Sequence, residues 1–154
     1  FLFVISFLIT FPGASQSIRE CVLIDDGWKF SLGDAASPEK DYGCGTEYFN
    51  YLTKAASIHN AGPYSDKFDD SGWQDVSLPH DWVTDLPYEA SASHSHGYKC
   101  VGWKYSATSV GWYRKWLEIP AEDRGKHIYL RFDGIFRDSR IWFNGFYLGG
   151  EPSV

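Results

Sequence analysis

The chain lacks any apolar run long enough to cross a membrane. Its most apolar stretch, FLFVISFLITF at residues 1–11, has eleven residues, about half of the roughly 20 that a membrane helix needs. Cysteine is scarce: Cys21, Cys44 and Cys100 are the three in 154 residues, and methionine is absent. Their spacings match no zinc or redox motif, and an odd count allows at most one internal disulfide. Cys44 and Cys100, both in glycine-rich or polar loop sequence, are the pair an oxidising compartment would join; three free thiols are the alternative. Positive charge is in deficit, with 14 Lys and Arg against 20 Asp and Glu and a net charge of −6. The basic residues are scattered, which argues against a nucleic-acid partner, because that needs a basic stripe. There is no internal repeat, low-complexity tract or heptad pattern.

What the chain has in excess is aromatic surface: seven Trp, ten Tyr and eleven Phe, 18% of the residues. Rings of this kind pack well on pleated sheets. Stacking on the CH-rich face of a sugar is the second use open to them. Residues 111–145 carry the clearest pattern. Trp112–Ile119 alternates bulky and polar side chains and stops at Pro120, which cannot donate into a ladder. A polar Glu-Asp-Arg-Gly turn follows, and His127–Phe132 then sets Ile128, Leu130 and Phe132 on one face. Asp133-Gly134 ends that run. Ile141–Phe143 forms the next strand, and Asn144-Gly145 is a strong hairpin signal. Upstream, Leu23–Phe30 reads as a short strand with an Asp-Asp-Gly turn, and Phe68–Trp73 as a polar turn held by two aromatics, leading into the strand Asp75–Leu78. Glu47–Ala56 has near-helical apolar spacing and predicts one short helix. Val83–Ser109 has no sustained period and reads as a long excursion, of the kind that is usually functional or disordered.

Residues 1–11 followed by Pro12-Gly13-Ala14-Ser15 have the shape of a signal peptide lacking its start; a first buried strand or core helix is the plainer alternative. The segmentation is therefore a partial signal peptide over 1–17 and one domain over 18–154. The location it implies is exported: periplasmic, cell-surface or secreted.

Four pieces, LPHDW (Leu78–Trp82), VGWYRK (Val110–Lys115), FDGIFRDSRIWFNG (Phe132–Gly145) and LGG (Leu148–Gly150), stand in an order and spacing that resembles the N-terminal domain of glycoside hydrolase family 2, and most closely its β-galactosidases. The resemblance runs from about Asp25 to the last residue. It implies an all-β, galactose-binding-like jelly-roll β-sandwich. About eight strands make a jelly roll, and only about five or six strand-like runs precede Val154, so the sandwich is expected to be incomplete at its C-terminal end. It further implies that the chain is the first domain of an exported O-glycosyl hydrolase acting on terminal β-linked sugars. The partners would be the carbohydrate and the later domains of the same chain, with a homo-oligomer left open. A stand-alone carbohydrate-binding module of the same fold is the alternative, because fold does not fix function.

Glycoside hydrolysis needs two flanking carboxyl groups. Asp25-Asp26, Asp69-Asp70 and Glu122-Asp123 all lie in hydrophilic turns, where such residues serve local hydrogen bonding. In the resembling family the catalytic glutamates lie in a later barrel, so no catalytic residue is expected in this chain, and no metal or cofactor either. What the resemblance places here is one wall of the sugar pocket. Asp81 in the His80-Asp81-Trp82 segment would accept hydrogen bonds from sugar hydroxyls, with Trp82 packed beneath it; an Asp that caps the loop backbone over a buried Trp is the alternative. Trp103, in Val101–Tyr105, falls where related enzymes place a loop near the sugar and would serve as a stacking platform. Arg137-Asp138 reads as a structural ion pair or strand-end contact. His94 and His96 at i, i+2 are read as solvated loop histidines for want of a third ligand.

Overall fold

The computed structural model describes residues 19–42, 62–136 and 138–150. The expected helix over 47–56, Cys44, the 1–17 segment and Arg137 lie outside the described residues. Within them the chain is all-β, built of six strands and short 3-10 turns without an α-helix. The strands are β1 (Trp28–Gly33), β2 (Gln74–Val76), β3 (Tyr88–Ser93), β4 (Val110–Arg114), β5 (Ile141–Phe143) and β6 (Phe146–Gly149). β1 is the centre of an antiparallel sheet ordered β2-β1-β4, and β5 pairs with β6 as a hairpin.

Local chemistry explains the breaks. Gly27, at φ 71°, lets the Asp25-Asp26-Gly27 turn enter β1 in a conformation that a Cβ would strain. Asn144 and Gly145, at φ 49° and 82°, both occupy the left-handed region that a two-residue primed turn requires, and β5 and β6 pair across it with Phe143 opposite Phe146. Asp69 accepts from the Ser71 N–H at 3.0 Å, tightening the turn ahead of Trp73 and β2.

The register of β1 with β4, from Lys29 opposite Arg114 to Gly33 opposite Val110, divides the side chains between two faces. On one, Phe30, Gly111 and Tyr113 meet the His80–Trp82 loop. Phe30 stacks at 4.8 Å from the His80 ring and 4.9 Å from that of Tyr113. On the other face lies the main core, with Tyr64, Trp73 and Trp112 buried and Tyr42, Phe68, Val110 and Trp142 packed around them. Trp142 of β5 lies 6.0 Å from both Trp112 and Tyr64, which seats the hairpin on this face as a second antiparallel layer. Asp41 is fully buried here and accepts from Trp112 Nε1 at 2.8 Å. A Cβ on Gly33 would stand 1.9 Å from Asp41 Oδ1, so glycine is what admits the carboxylate.

Two strand expectations are corrected. The run Trp112–Ile119 is regular only to Arg114. Among the described residues β4 pairs with β1 alone, and β1 begins after the Gly27 turn, so none of them ladders with residues 115–119. His127–Phe132 forms no strand. Its alternation is present, yet Ile128 is 53% and Leu130 and Phe132 are 40% exposed, so the apolar face meets no opposing layer among the described residues. Without a partner strand or a buried face the pattern has nothing to select it.

Candidate functional site

Two segments expected to matter are linked through β3 and the residues it folds back on. In the first, His80-Asp81-Trp82 rests on β4. A Cβ on Gly111 would stand 2.6 Å from Trp82 Nε1, so the bare backbone of β4 is what lets the half-buried indole lie against the strand. His80 Nδ1 and Tyr113 Oη share a 2.7 Å hydrogen bond. Burial, followed by the nearby Asp81 charge, pushes the Tyr113 phenol up to about 12. Asp81 itself is exposed and caps a 3-10 turn, Trp82–Asp85: its Oδ1 accepts from the Val83 N–H at 3.0 Å. Its carbonyl accepts from the Thr84 hydroxyl at 2.8 Å. The capping role weighed for Asp81 is thus present in the structure, and the exposed carboxylate keeps a second oxygen beside it.

The second segment is the excursion, which proves more ordered than its sequence suggested. β3 folds back on Tyr98 and Lys99, with the Glu89 N–H donating to Tyr98 O at 2.6 Å. Gly97 and Tyr98 turn the chain at φ 59° and 63°. After Gly102, at φ 90°, Trp103 opens two successive 3-10 turns over Trp103–Thr108 that meet at Tyr105, whose φ −125° and ψ 58° break the helical geometry. Ser106 O accepts from the Ala35 N–H at 3.0 Å, anchoring the second turn beyond the end of β1.

The described connection between Asp81 and the 102–105 turn is indirect. Lys99 Nζ donates to Thr84 O at 3.0 Å and Leu86 O at 2.5 Å, tying the turn that Asp81 caps to the β3 fold-back. Ser91 of β3 then meets both Lys104 Nζ, at 2.9 Å, and Tyr105 Oη, at 2.8 Å. Glu89 Oε1 accepts from the Ser91 hydroxyl at 3.0 Å and from its N–H at 3.2 Å. These Ser91 donors hold the Glu89 carboxyl below its usual range, and the Lys104 ammonium adds to the effect. Glu89, Ser91 and Lys104 were not singled out from the sequence. The i, i+2 placement of Glu89 and Ser91 on one strand face was the available signal.

Other expectations resolve locally. His94 stacks edge-on to Tyr98 at 4.7 Å, and His96 Nδ1 lies 3.0 Å from the Ser95 hydroxyl. Among the described residues no group of three His, Cys, Asp or Glu could hold a metal ion. No helix among them is long and apolar enough to cross a membrane. Cys100 carries a free thiol 3.8 Å from Pro87 O. Of the turn carboxylates, Asp70 is in an ion pair with Arg114 at 2.8 Å, and Asp123 pairs with Lys126.

No family model matches the chain. Against curated proteins it is similar to a putative β-glucuronidase of Formosa agariphila, 32% identical over 87 residues, which is 56% of this chain and 8% of that protein. It is also similar to a β-galactosidase of Bacteroides ovatus, 34% identical over 86 residues, 55% of this chain and 9% of that protein. A β-galactosidase of Thermoanaerobacter pseudethanolicus is 30% identical over 86 residues, 56% of this chain and 10% of that protein. The chain therefore has homologues among the β-galactosidase and β-glucuronidase type of glycoside hydrolase, and it spans about a tenth of the length of the relatives it matches.

Proposed function

We propose that the chain is the N-terminal jelly-roll domain of an exported family 2 glycoside hydrolase, one that removes terminal β-linked sugars with retention. In this reading residues 1–17 are the signal segment and 18–154 belong to the domain. The catalytic carboxylates lie in other domains of the same polypeptide, and this domain supports them and forms one wall of the sugar pocket through Asp81 and the 102–105 turn. The observation that carries the reading is the similarity to relatives named as β-galactosidases and β-glucuronidases. The antiparallel sheet with the His80–Trp82 loop seated on Gly111 agrees with it.

The test is expression of the complete reading frame and assay with aryl β-galactosides and aryl β-glucuronides. Turnover of either by the whole protein, absent from residues 1–154 alone, is the expected result. Glycan binding by the whole protein without any turnover favours the stand-alone carbohydrate-binding module. The β-glucuronidase names among the relatives keep a uronic-acid substrate as the second reading.

A further inference from the structure

We propose that Asn144-Gly145 is a spontaneous deamidation site that the β5–β6 hairpin keeps unreactive, and that isoaspartate formed there unseats the hairpin from the core.

Asn144 is exposed and is the one asparagine of the sequence that precedes a glycine. Deamidation is attack of the following main-chain nitrogen on the side-chain amide carbon. Glycine, lacking a Cβ, leaves that nitrogen open to approach. The Gly145 nitrogen gives its proton to hydroxide, the N–Cγ bond forms, the Cγ–Nδ2 bond breaks, and ammonia leaves. Water then opens the succinimide ring. Opening at Cγ yields aspartate. Opening at the main-chain carbonyl carbon yields isoaspartate, whose main chain runs through Cβ and Cγ. Water is the only co-reactant consumed.

The turn opposes that attack. Asn144 stands at φ 49°, in the left-handed region, where ψ is about +47°. At that ψ the Gly145 nitrogen lies trans to the Asn144 Cβ about the Cα–C bond, whereas ring closure needs the two nearly eclipsed. Rotation about that bond brings them together, and it dismantles the turn that sets Phe143 opposite Phe146. The lock is a weak one. β5 and β6 have three and four residues and, among the described residues, pair only with each other, with a register shift between Ile141 and Trp142. Two strands alone are marginally stable. Phe143 and Phe146 are 43% and 62% exposed, so the hairpin's hold on the core runs through the Trp142 ring, 6.0 Å from Trp112 and from Tyr64. Isoaspartate adds a methylene to the main chain inside the turn and cannot keep the two-residue geometry. Aspartate leaves the main chain unchanged, and Asp-Gly suits the same turn.

The experiment incubates the full-length protein at mildly alkaline pH and follows residue 144 by peptide mass mapping and isoaspartyl methyltransferase labelling. Folded wild type, wild type unfolded in guanidinium chloride, and folded Phe146→Ser are compared at one pH and temperature. Folded wild type should convert slower than the unfolded chain by on the order of tenfold or more. Phe146→Ser removes one side of an exposed cross-strand pair and should speed conversion by about two- to fivefold while the domain stays folded. The purified isoaspartate form should melt lower than wild type. Asn144→Asp, which adds the same charge without the methylene, should melt like wild type. Equal rates in the folded and unfolded protein, an unchanged rate in Phe146→Ser, or no isoaspartate at residue 144 in the unfolded chain overturns the inference. So does an isoaspartate form that melts like wild type, or an Asn144→Asp variant that melts as low as the isoaspartate form.

Discussion

Replacing Asp81 separates the turn-capping role that the structure shows from the sugar-binding role proposed for the same carboxylate. Its Oδ1 caps a four-residue 3-10 turn through the Val83 N–H at 3.0 Å, and that turn contains no buried residue. An exposed cap of this kind contributes about 1 kcal/mol, so Asp81→Ala should lower the melting temperature by only a few degrees. Asp81→Asn keeps an oxygen acceptor for Val83 and should leave the melting temperature nearly unchanged. On the proposed function, loss of a charge-assisted bond to a sugar hydroxyl costs about 1.5–3 kcal/mol, so both variants should lose roughly one to two orders of magnitude in kcat/KM in the full-length protein. Both should also let the Tyr113 phenol titrate at lower pH, because the Asp81 charge is one of the two causes that raise it to about 12. Phenolate absorbance followed with pH gives that internal check, independent of activity. If Asp81→Asn keeps full kcat/KM while Asp81→Ala only melts lower, the carboxylate is a turn cap and touches no substrate.

Arg114→Met should destabilise the fold by about 3–5 kcal/mol, because it strands the largely buried Asp70 carboxylate and uncovers Ser65 O, now 2.8 Å from Nη1; Arg114→Lys should recover little of this, and denaturant titration of both variants tests it. Gly111→Ala should cost about 1–3 kcal/mol by overpacking, since its Cβ would meet Trp82 Nε1 at 2.6 Å and Phe30 Cε2 at 3.2 Å; an unshifted melt and unchanged Trp fluorescence would refute the packing of Trp82 on β4. Tyr113 has its pKa raised to about 12 from 10.0, so its proton is held more tightly in the folded state, and the contribution is complete below about pH 10 and lost as pH rises through 12. Discounted for its half-buried position, that is about 1 kcal/mol of alkaline sensitivity, which Tyr113→Phe should abolish in stability measured against pH.

Features decided by neighbouring residues were legible in the sequence. The Asn144-Gly145 hairpin, the Gly27 turn and the Asp69 turn each need a backbone conformation that one or two residue types supply. The all-β class followed from aromatic content and period-two runs. Strand lengths were not legible, because they depend on the partner: β4 ends where β1 turns away, and 127–132 has the alternation without the ladder. Long-range polar contacts were invisible for the same reason. Arg114 and Asp70 are 44 residues apart and Trp112 and Asp41 are 71 apart, and no local pattern couples them. The candidate segments, the His80–Trp82 loop and the 102–105 turn, were legible as positions in the sequence. The contacts among Glu89, Ser91 and Lys104 were not, because these residues meet only once β3 has folded back on Tyr98 and Lys99.

The five residues of β4 show how one short strand serves both stability and site. Because successive side chains point to opposite faces, Gly111 and Tyr113 receive Trp82 and His80, while Trp112 and Arg114 hold Asp41 and Asp70 on the core side. A strand in which every position is committed tolerates no slip of register: a shift by one residue would put Arg114 against the loop and Tyr113 over Asp41. Two consequences follow for substitution. Changes at 112 and 114 should act mainly on unfolding free energy, since they uncover buried charge or the aromatic core. Changes at 111 and 113, beyond their stability cost, should disturb the loop that carries Asp81 and, on the proposed function, sugar affinity. The Arg114 and Tyr113 variants thus form a matched pair from adjacent positions, whose stability and binding losses should divide by face rather than by distance along the chain.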